Sequence, residues 1–145
     1  MNPSMSASSI FYIDDDADDL DFFNDAMKQL DHDVVLLNSA TDVLKTLKDS
    51  RTPATLIFMD LNMPQRNGFE LIAELKLDPE SKDIPIIVYS TAIDSATVEK
   101  CRLLGALMYI NKPTSMPALL RTLRHVLAID WTDYKVGKNN FLYTT

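Results

Sequence analysis

Asp14, Asp15, Asp60, Ser90 and Lys112 are the residues of this chain whose types and positions best suit chemistry. Each follows a short apolar run. Ile10-Phe11-Tyr12-Ile13 leads into Asp14-Asp15-Asp16, and Leu56-Ile57-Phe58-Met59 into Asp60. Ile86-Ile87-Val88-Tyr89 leads into Ser90, and Leu107-Met108-Tyr109-Ile110, through Asn111, into Lys112. If the runs are parallel strands of one sheet, their carboxyl ends share an edge, where ligands of open α/β sheets bind. Acids, a hydroxyl and an ammonium would then meet around Asp60, a set suited to handling a phosphoryl group. A carboxylate that attacks phosphorus forms an acyl phosphate. The transfer asks mainly for alignment and for neutralisation of the equatorial oxygens. Lys112 offers a compact point charge for one oxygen, and the Ser90 hydroxyl a hydrogen bond for another.

Three unpaired carboxylates at one edge repel, and some would take up protons. A divalent cation removes the conflict. An oxygen-only donor set with room for water suits Mg²⁺. Each residue also has an ordinary explanation: Ser90 as a strand-end cap, Lys112 as a surface lysine. Asp14, Asp15, Asp16, Asp18, Asp19 and Asp21 crowd into eight positions. For Asp18, Asp19 and Asp21 the better expectation is a solvated first helical turn, favoured by the helix dipole. Asp14, Asp16 and Asp18 have the alternate spacing of a calcium loop. Position six is Asp19 rather than Gly, however, and position twelve Asp25 rather than Glu.

The elements that must position these groups are legible from periodicity. The apolar runs, with Val34-Val35-Leu36-Leu37 as the second of five, are continuous rather than alternating, as in strands covered on both faces. Helical stripes lie between them: Leu20, Phe23, Met27 and Leu30; Val43, Leu44 and Leu47; Phe69, Ile72 and Leu75; Val98, Cys101 and Leu104; and Leu119, Leu120, Leu123, Val126 and Leu127. Asn67-Gly68 precedes the third helix, and Gly105 follows the fourth where a left-handed cap is wanted. Ser95 and Ser115 are candidate N-caps, with Pro117 in a first turn. Five strand–helix alternations imply a five-stranded parallel α/β sheet, doubly wound, with right-handed crossovers and helices on both faces.

Composition bounds the rest. The 145 residues suit one domain, and 46% hydrophobic content argues against general disorder. No apolar stretch approaches the roughly 20 residues of a membrane span, and the start has no signal-peptide pattern. One cysteine, Cys101, excludes a disulfide framework and a thiolate metal cluster, and a reducing cytoplasm is the expected location. A formal charge of −7 predicts no general attraction to nucleic acid or an anionic membrane. Residues 1–8 read as a loose tail, 9–128 as the domain, and 129–145, with Trp131, Tyr134, Phe141 and Tyr143, as an extension that packs or docks.

Taken together, the motifs resemble the receiver domain of bacterial two-component response regulators. They run Ile13-Asp14-Asp15-Asp16; Met59-Asp60-Leu61-Asn62-Met63-Pro64 with Gly68; Ser90-Thr91-Ala92; Gly105-Ala106; and Tyr109-Ile110-Asn111-Lys112-Pro113. The resemblance covers Ser9 to Ala128. It implies a flavodoxin-like sheet of order 2-1-3-4-5 with five flanking helices and a stand-alone receiver. Asp60 would be the phosphoacceptor, with Asp14 and Asp15 as the acid pair for Mg²⁺, Asp15 the more direct ligand. Asn62 would lend the metal its backbone carbonyl, Ser90 and Tyr109 would be the switch pair, and Lys112 would bind phosphate ahead of a cis bond to Pro113. The implied partners are a sensor histidine kinase or histidine phosphotransfer protein and a downstream protein target, with neither nucleic acid nor membrane. Such a protein is no enzyme beyond its own phosphotransfer and dephosphorylation. Ala17 and Thr114 depart from the family pattern away from the chemistry, and Thr91 is bulkier than usual. Ala92 offers no side chain to align an attacking water and Asn62 only an amide, so an acyl phosphate that hydrolyses slowly by receiver standards is expected. Two other readings compete. An aspartate-based phosphatase of the haloacid dehalogenase type wants a second acid where Asn62 stands, and a flavin binder wants a Gly- and Ser/Thr-rich phosphate loop.

Overall fold

The computed structural model describes residues 9–41, 43–49, 54–63, 66–137 and 139–144. The segment 1–8 and Pro64 of the motif lie outside the described residues. Strands β1 (Ser9–Ile13), β2 (Val34–Leu37), β3 (Ala54–Met59), β4 (Ile86–Ser90) and β5 (Met108–Asn111) alternate with helices α1 (Ala17–Gln29), α2 (Val43–Asp49), α3 (Gly68–Leu77), α4 (Ser95–Leu104) and α5 (Met116–Leu127). A short β6 (Leu142–Tyr143) follows, and the sheet order is β2-β1-β3-β4-β5-β6, with every pair parallel. The five-stranded expectation therefore holds, with one strand added at the β5 edge. The described part of the extension supplies it: Tyr109 pairs with Leu142 and Ile110 with Tyr143.

Continuous apolar strands work here because successive side chains alternate between two covered faces. Phe11, Ile13, Ile57, Met59, Ile86, Val88 and Tyr109 pack with Val43, Leu71, Ile72, Leu75 and Cys101 of α2, α3 and α4. The intervening Ile10, Tyr12, Leu56, Phe58, Ile87, Tyr89 and Ile110 pack with Phe23 and Met27 of α1 and Leu119, Leu123 and Val126 of α5. Edge strand β2 is only half-buried along its length. Burial pushes the Cys101 thiol up to about 12, leaving it an inert core side chain.

Capping differs from expectation in detail. Ser115 caps α5, but Asp94 rather than Ser95 caps α4, its carboxylate accepting from the Thr97 N–H. Asn67 caps α3, so Gly68 is the first helical residue rather than a spacer. Gly105 closes α4 at φ 111°, the left-handed cap anticipated from sequence. No cis peptide bond occurs among the described residues, so the Lys112–Pro113 bond is trans, contrary to the resemblance. Trans is the intrinsically favoured form of an X-Pro bond by about 0.5–1 kcal/mol.

Candidate functional site

Register brings the motif residues to one edge. Ile13 lies opposite both Leu37 and Met59, and the ladder extends one step further through Asp14 N–H to Leu37 and Asp60 N–H to Ile13 (3.0 and 2.9 Å). On the other side Met59 pairs with Val88 and Ser90 with Asn111, and the Lys112 N–H donates to the Ser90 carbonyl at 2.9 Å. Asp14, Asp60, Ser90 and Lys112 thus emerge side by side. Carboxylate oxygens of Asp14, Asp15 and Asp60 lie within 4.8 Å of one another.

The three acids are held differently. Asp14 is fully buried: its Oδ1 accepts the Asp16 N–H at 3.0 Å, and its Oδ2 accepts both the Tyr12 hydroxyl and the Lys112 ammonium, the latter at 2.8 Å. Asp15 is exposed, and no hydrogen bond among the described residues engages its carboxylate. Asp60 is 7% exposed. Burial pushes its carboxyl up to about 6; the Lys112 charge opposes this, Asp14 adds to it, and the Leu61 and Asn62 N–H groups oppose it. A hard, oxygen-only donor set with one free carboxylate and one disfavoured as an anion fits a divalent cation. That cation would be held by Asp14, Asp15 and Asp60.

Lys112 is the sole cation found among these acids within the described residues, and its side chain is 10% exposed. It donates to Asp14 and Asp19 at 2.8 Å each, stands 3.6 Å from Asp60, and its Nζ lies 5.5 Å from the Tyr89 ring centre. Burial pulls its pKa down, but hydrogen bonds to Asp14 and Asp19 and the fields of Asp60 and Asp14 outweigh this, so it stays a firm cation. The fully buried Ser90 hydroxyl accepts the Ala92 N–H at 3.2 Å. Tyr109 is also fully buried, its hydroxyl donating to the Ala92 carbonyl, so the ring already lies inward. Asn62 and Thr91 are exposed.

Two participants escaped the sequence reading. Asp19, expected to be merely solvated, is ion-paired with Lys112. A signal was present: Asp16 caps α1, accepting the Asp18 and Asp19 N–H groups at 2.9 and 3.2 Å, and a helix starting there turns its third residue back over the strand end. Tyr12 was absorbed into an apolar run, yet residues two apart in a strand share a face, which brings its hydroxyl to Asp14. Burial and the Asp14 carboxylate raise that hydroxyl's pKa far above its usual range, so it remains a donor. The calcium-loop alternative fails, because α1 begins at Ala17 and makes residues 17–25 of the would-be loop helical.

Comparisons with known proteins bear on the family and the fold. The sequence model of the response regulator receiver domain matches residues 10–124. The polar-differentiation response regulator DivK of Brucella anthropi is 26% identical over 119 residues, 82% of this chain and 95% of that protein. A probable cyclic di-GMP phosphodiesterase of Vibrio cholerae is 27% identical over 141 residues, but this chain spans only 31% of its length. Among solved structures, the phosphorylated cyanobacterial phytochrome response regulator RcpA superposes with a TM-score of 0.76 at 26% identity, covering 90% of this chain and 97% of that one. These matches lend the phosphatase reading no support. No helix among the described residues is long and apolar enough to cross a membrane.

Proposed function

Because this chain belongs to the response regulator receiver domain family, we propose that it accepts a phosphoryl group on Asp60 and switches a protein-binding surface in response. The donor is a phosphohistidine of a sensor kinase or phosphotransfer protein. An Asp60 oxygen bonds to phosphorus as the phosphorus–nitrogen bond breaks, and the released imidazole takes up a proton. Mg²⁺ held by Asp14, Asp15 and Asp60, with the Asn62 carbonyl, would supply charge neutralisation at the phosphoryl oxygens. Lys112 binds a second oxygen and the Ser90 hydroxyl a third. Movement of Ser90 toward the phosphoryl group removes a neighbour of the Tyr109 hydroxyl, and the α4, β5 and α5 surface follows as a population shift.

The observation that carries this reading is the approach of three carboxylates to within 4.8 Å of one another, with Lys112 in reach of two of them. In this reading residues 9–128 are the receiver and 129–145 an extension of it, the target is a protein, and the setting is a cytoplasm compatible with one buried thiol. The protein then acts as a phosphoacceptor rather than a turnover enzyme. Incubation with a small phosphodonor or a phosphorylated kinase should label the parent in Mg²⁺ and leave Asp60→Asn unlabelled. Equal labelling of both would end the proposal. Ala92 offers no side chain to orient water, so the label should be lost slowly. Ala92→Gln should hasten loss, and fast loss from the parent would contradict this part of the reading.

A further inference from the structure

We propose that Asp19 is a positioning residue for Lys112, one that anchors the ammonium on the α1 side of the pocket and so keeps it from crowding Asp60 and the cation site. Asp19 lies outside the motifs that carry the resemblance to the family. Its carboxylate nevertheless takes the same 2.8 Å hydrogen bond from Lys112 as the buried Asp14 does, while Asp60 is left at 3.6 Å. The contact is built into the fold. Asp16 fixes the first turn of α1 by accepting the Asp19 N–H, and α1 itself is pinned to the sheet through Phe23 against Tyr12, Phe58 and Tyr89.

An ammonium has three donors and no acceptor. With Asp14 and Asp19 taking two of them, Lys112 is balanced between the wall of the pocket and its centre. Without Asp19, Asp14 and Asp60 are the carboxylates left within 4.0 Å of it among the described residues. The charge would then settle inward, where it opposes a divalent cation bound by the same two acids. In the unphosphorylated protein Asp19 therefore favours Mg²⁺ binding by way of Lys112, beyond the general attraction any nearby acid exerts.

The inference rests on the receiver reading for its metal, so the test separates the two. Mg²⁺ affinity is measured by calorimetry on the full chain for the parent, Asp19→Asn, Lys112→Gln and the double variant. Asp19→Asn should weaken Mg²⁺ roughly three- to tenfold in the parent and less than about twofold in the Lys112→Gln background, the non-additivity expected of residues in contact. Equal weakening in both backgrounds, or none in the parent, would overturn the proposal, since a plain field effect does not depend on Lys112. The side-chain ammonium resonance of Lys112, read without metal, should be sharp in the parent and in Asp19→Glu, and shifted or lost in Asp19→Asn. An unchanged resonance in Asp19→Asn would overturn the contact itself. Failure of Asp60 to accept phosphate in the parent would count against the proposed function alone, because neither of these readouts involves phosphate.

Discussion

At the scale of single residues, the pocket balances one buried cation against acids that differ in how well they are satisfied. Asp14 has its charge met by Tyr12, Lys112 and a backbone N–H. Removing the Tyr12 hydroxyl with Tyr12→Phe keeps the ring packing but deletes a donor to a buried carboxylate. We expect urea unfolding to register a loss of about 1.5–3 kcal/mol. Asp60 behaves oppositely. Because its carboxyl titrates near 6 in the folded chain, the fold binds that proton more readily than the unfolded chain does. Its penalty is present above about pH 6 and is relieved as pH falls through that value. Asp60→Asn should therefore stabilise the metal-free protein at neutral pH by about 1 kcal/mol, after discounting for solvent screening. The gain should shrink below pH 6 and be absent below about pH 4. Thermal melts in chelator across pH would check both signs. The identities of Asp14, Asp15, Asp60, Ser90 and Lys112 as a group were legible in sequence, because each ends a recognisable apolar run. The role of Asp19 was legible only through the Asp16 cap that sets where α1 starts, since composition alone does not separate an acid that solvates a helix start from one that turns back to meet a lysine 93 positions away.

At the scale of elements, the strand–helix junctions carry the geometry. Gly68 opens α3 with its N–H donating to the Leu61 carbonyl at 2.8 Å, and a Cβ placed on it would meet the Leu61 Cα and Cδ2 at 2.8 Å and the Asp60 carbonyl at 3.0 Å. Two of those three atoms are backbone of the segment that presents Asp60, so they cannot yield without moving it. Gly68→Ala should cost about 1–3 kcal/mol of stability and slow labelling of Asp60 roughly tenfold or more. Gly105→Ala provides the contrast. It strains the left-handed α4 cap by about 1–2 kcal/mol, faces Lys76 rather than the pocket, and should leave labelling near the parent rate. Period and punctuation foretold β1 to β5 and α1 to α5, but not β6. They misjudged which of two adjacent residues caps α4, because Asp94 and Ser95 are both good caps and only backbone geometry distinguishes them.

At the scale of the whole molecule, the extension adds a strand to the β5 edge of the sheet. Phe141 is 4% exposed, its ring centre 6.4 Å from that of Tyr109, and its carbonyl accepts the Tyr109 N–H at 2.8 Å. Trp131 donates to the Val126 carbonyl at 3.1 Å, and Tyr143 stacks on His125 with ring centres 4.7 Å apart. Aromatic composition alone could not say whether this segment packs or docks, since both uses call for the same residues. Phe141→Ala should destabilise the fold by about 3–5 kcal/mol and speed hydrogen exchange at the Tyr109 amide. Unchanged exchange there would mean that β6 does not support β5. The central claim, that this architecture exists to make Asp60 a phosphoacceptor, is met most directly by chemical mapping. Labelled protein is reduced with borohydride, which converts an aspartyl phosphate to homoserine, and the altered residue is located by peptide mass spectrometry. The account predicts homoserine at position 60, formed with Mg²⁺ and absent in chelator. Conversion at Asp14 or Asp15 instead, or label that survives as a phosphoester on Ser90, would contradict it.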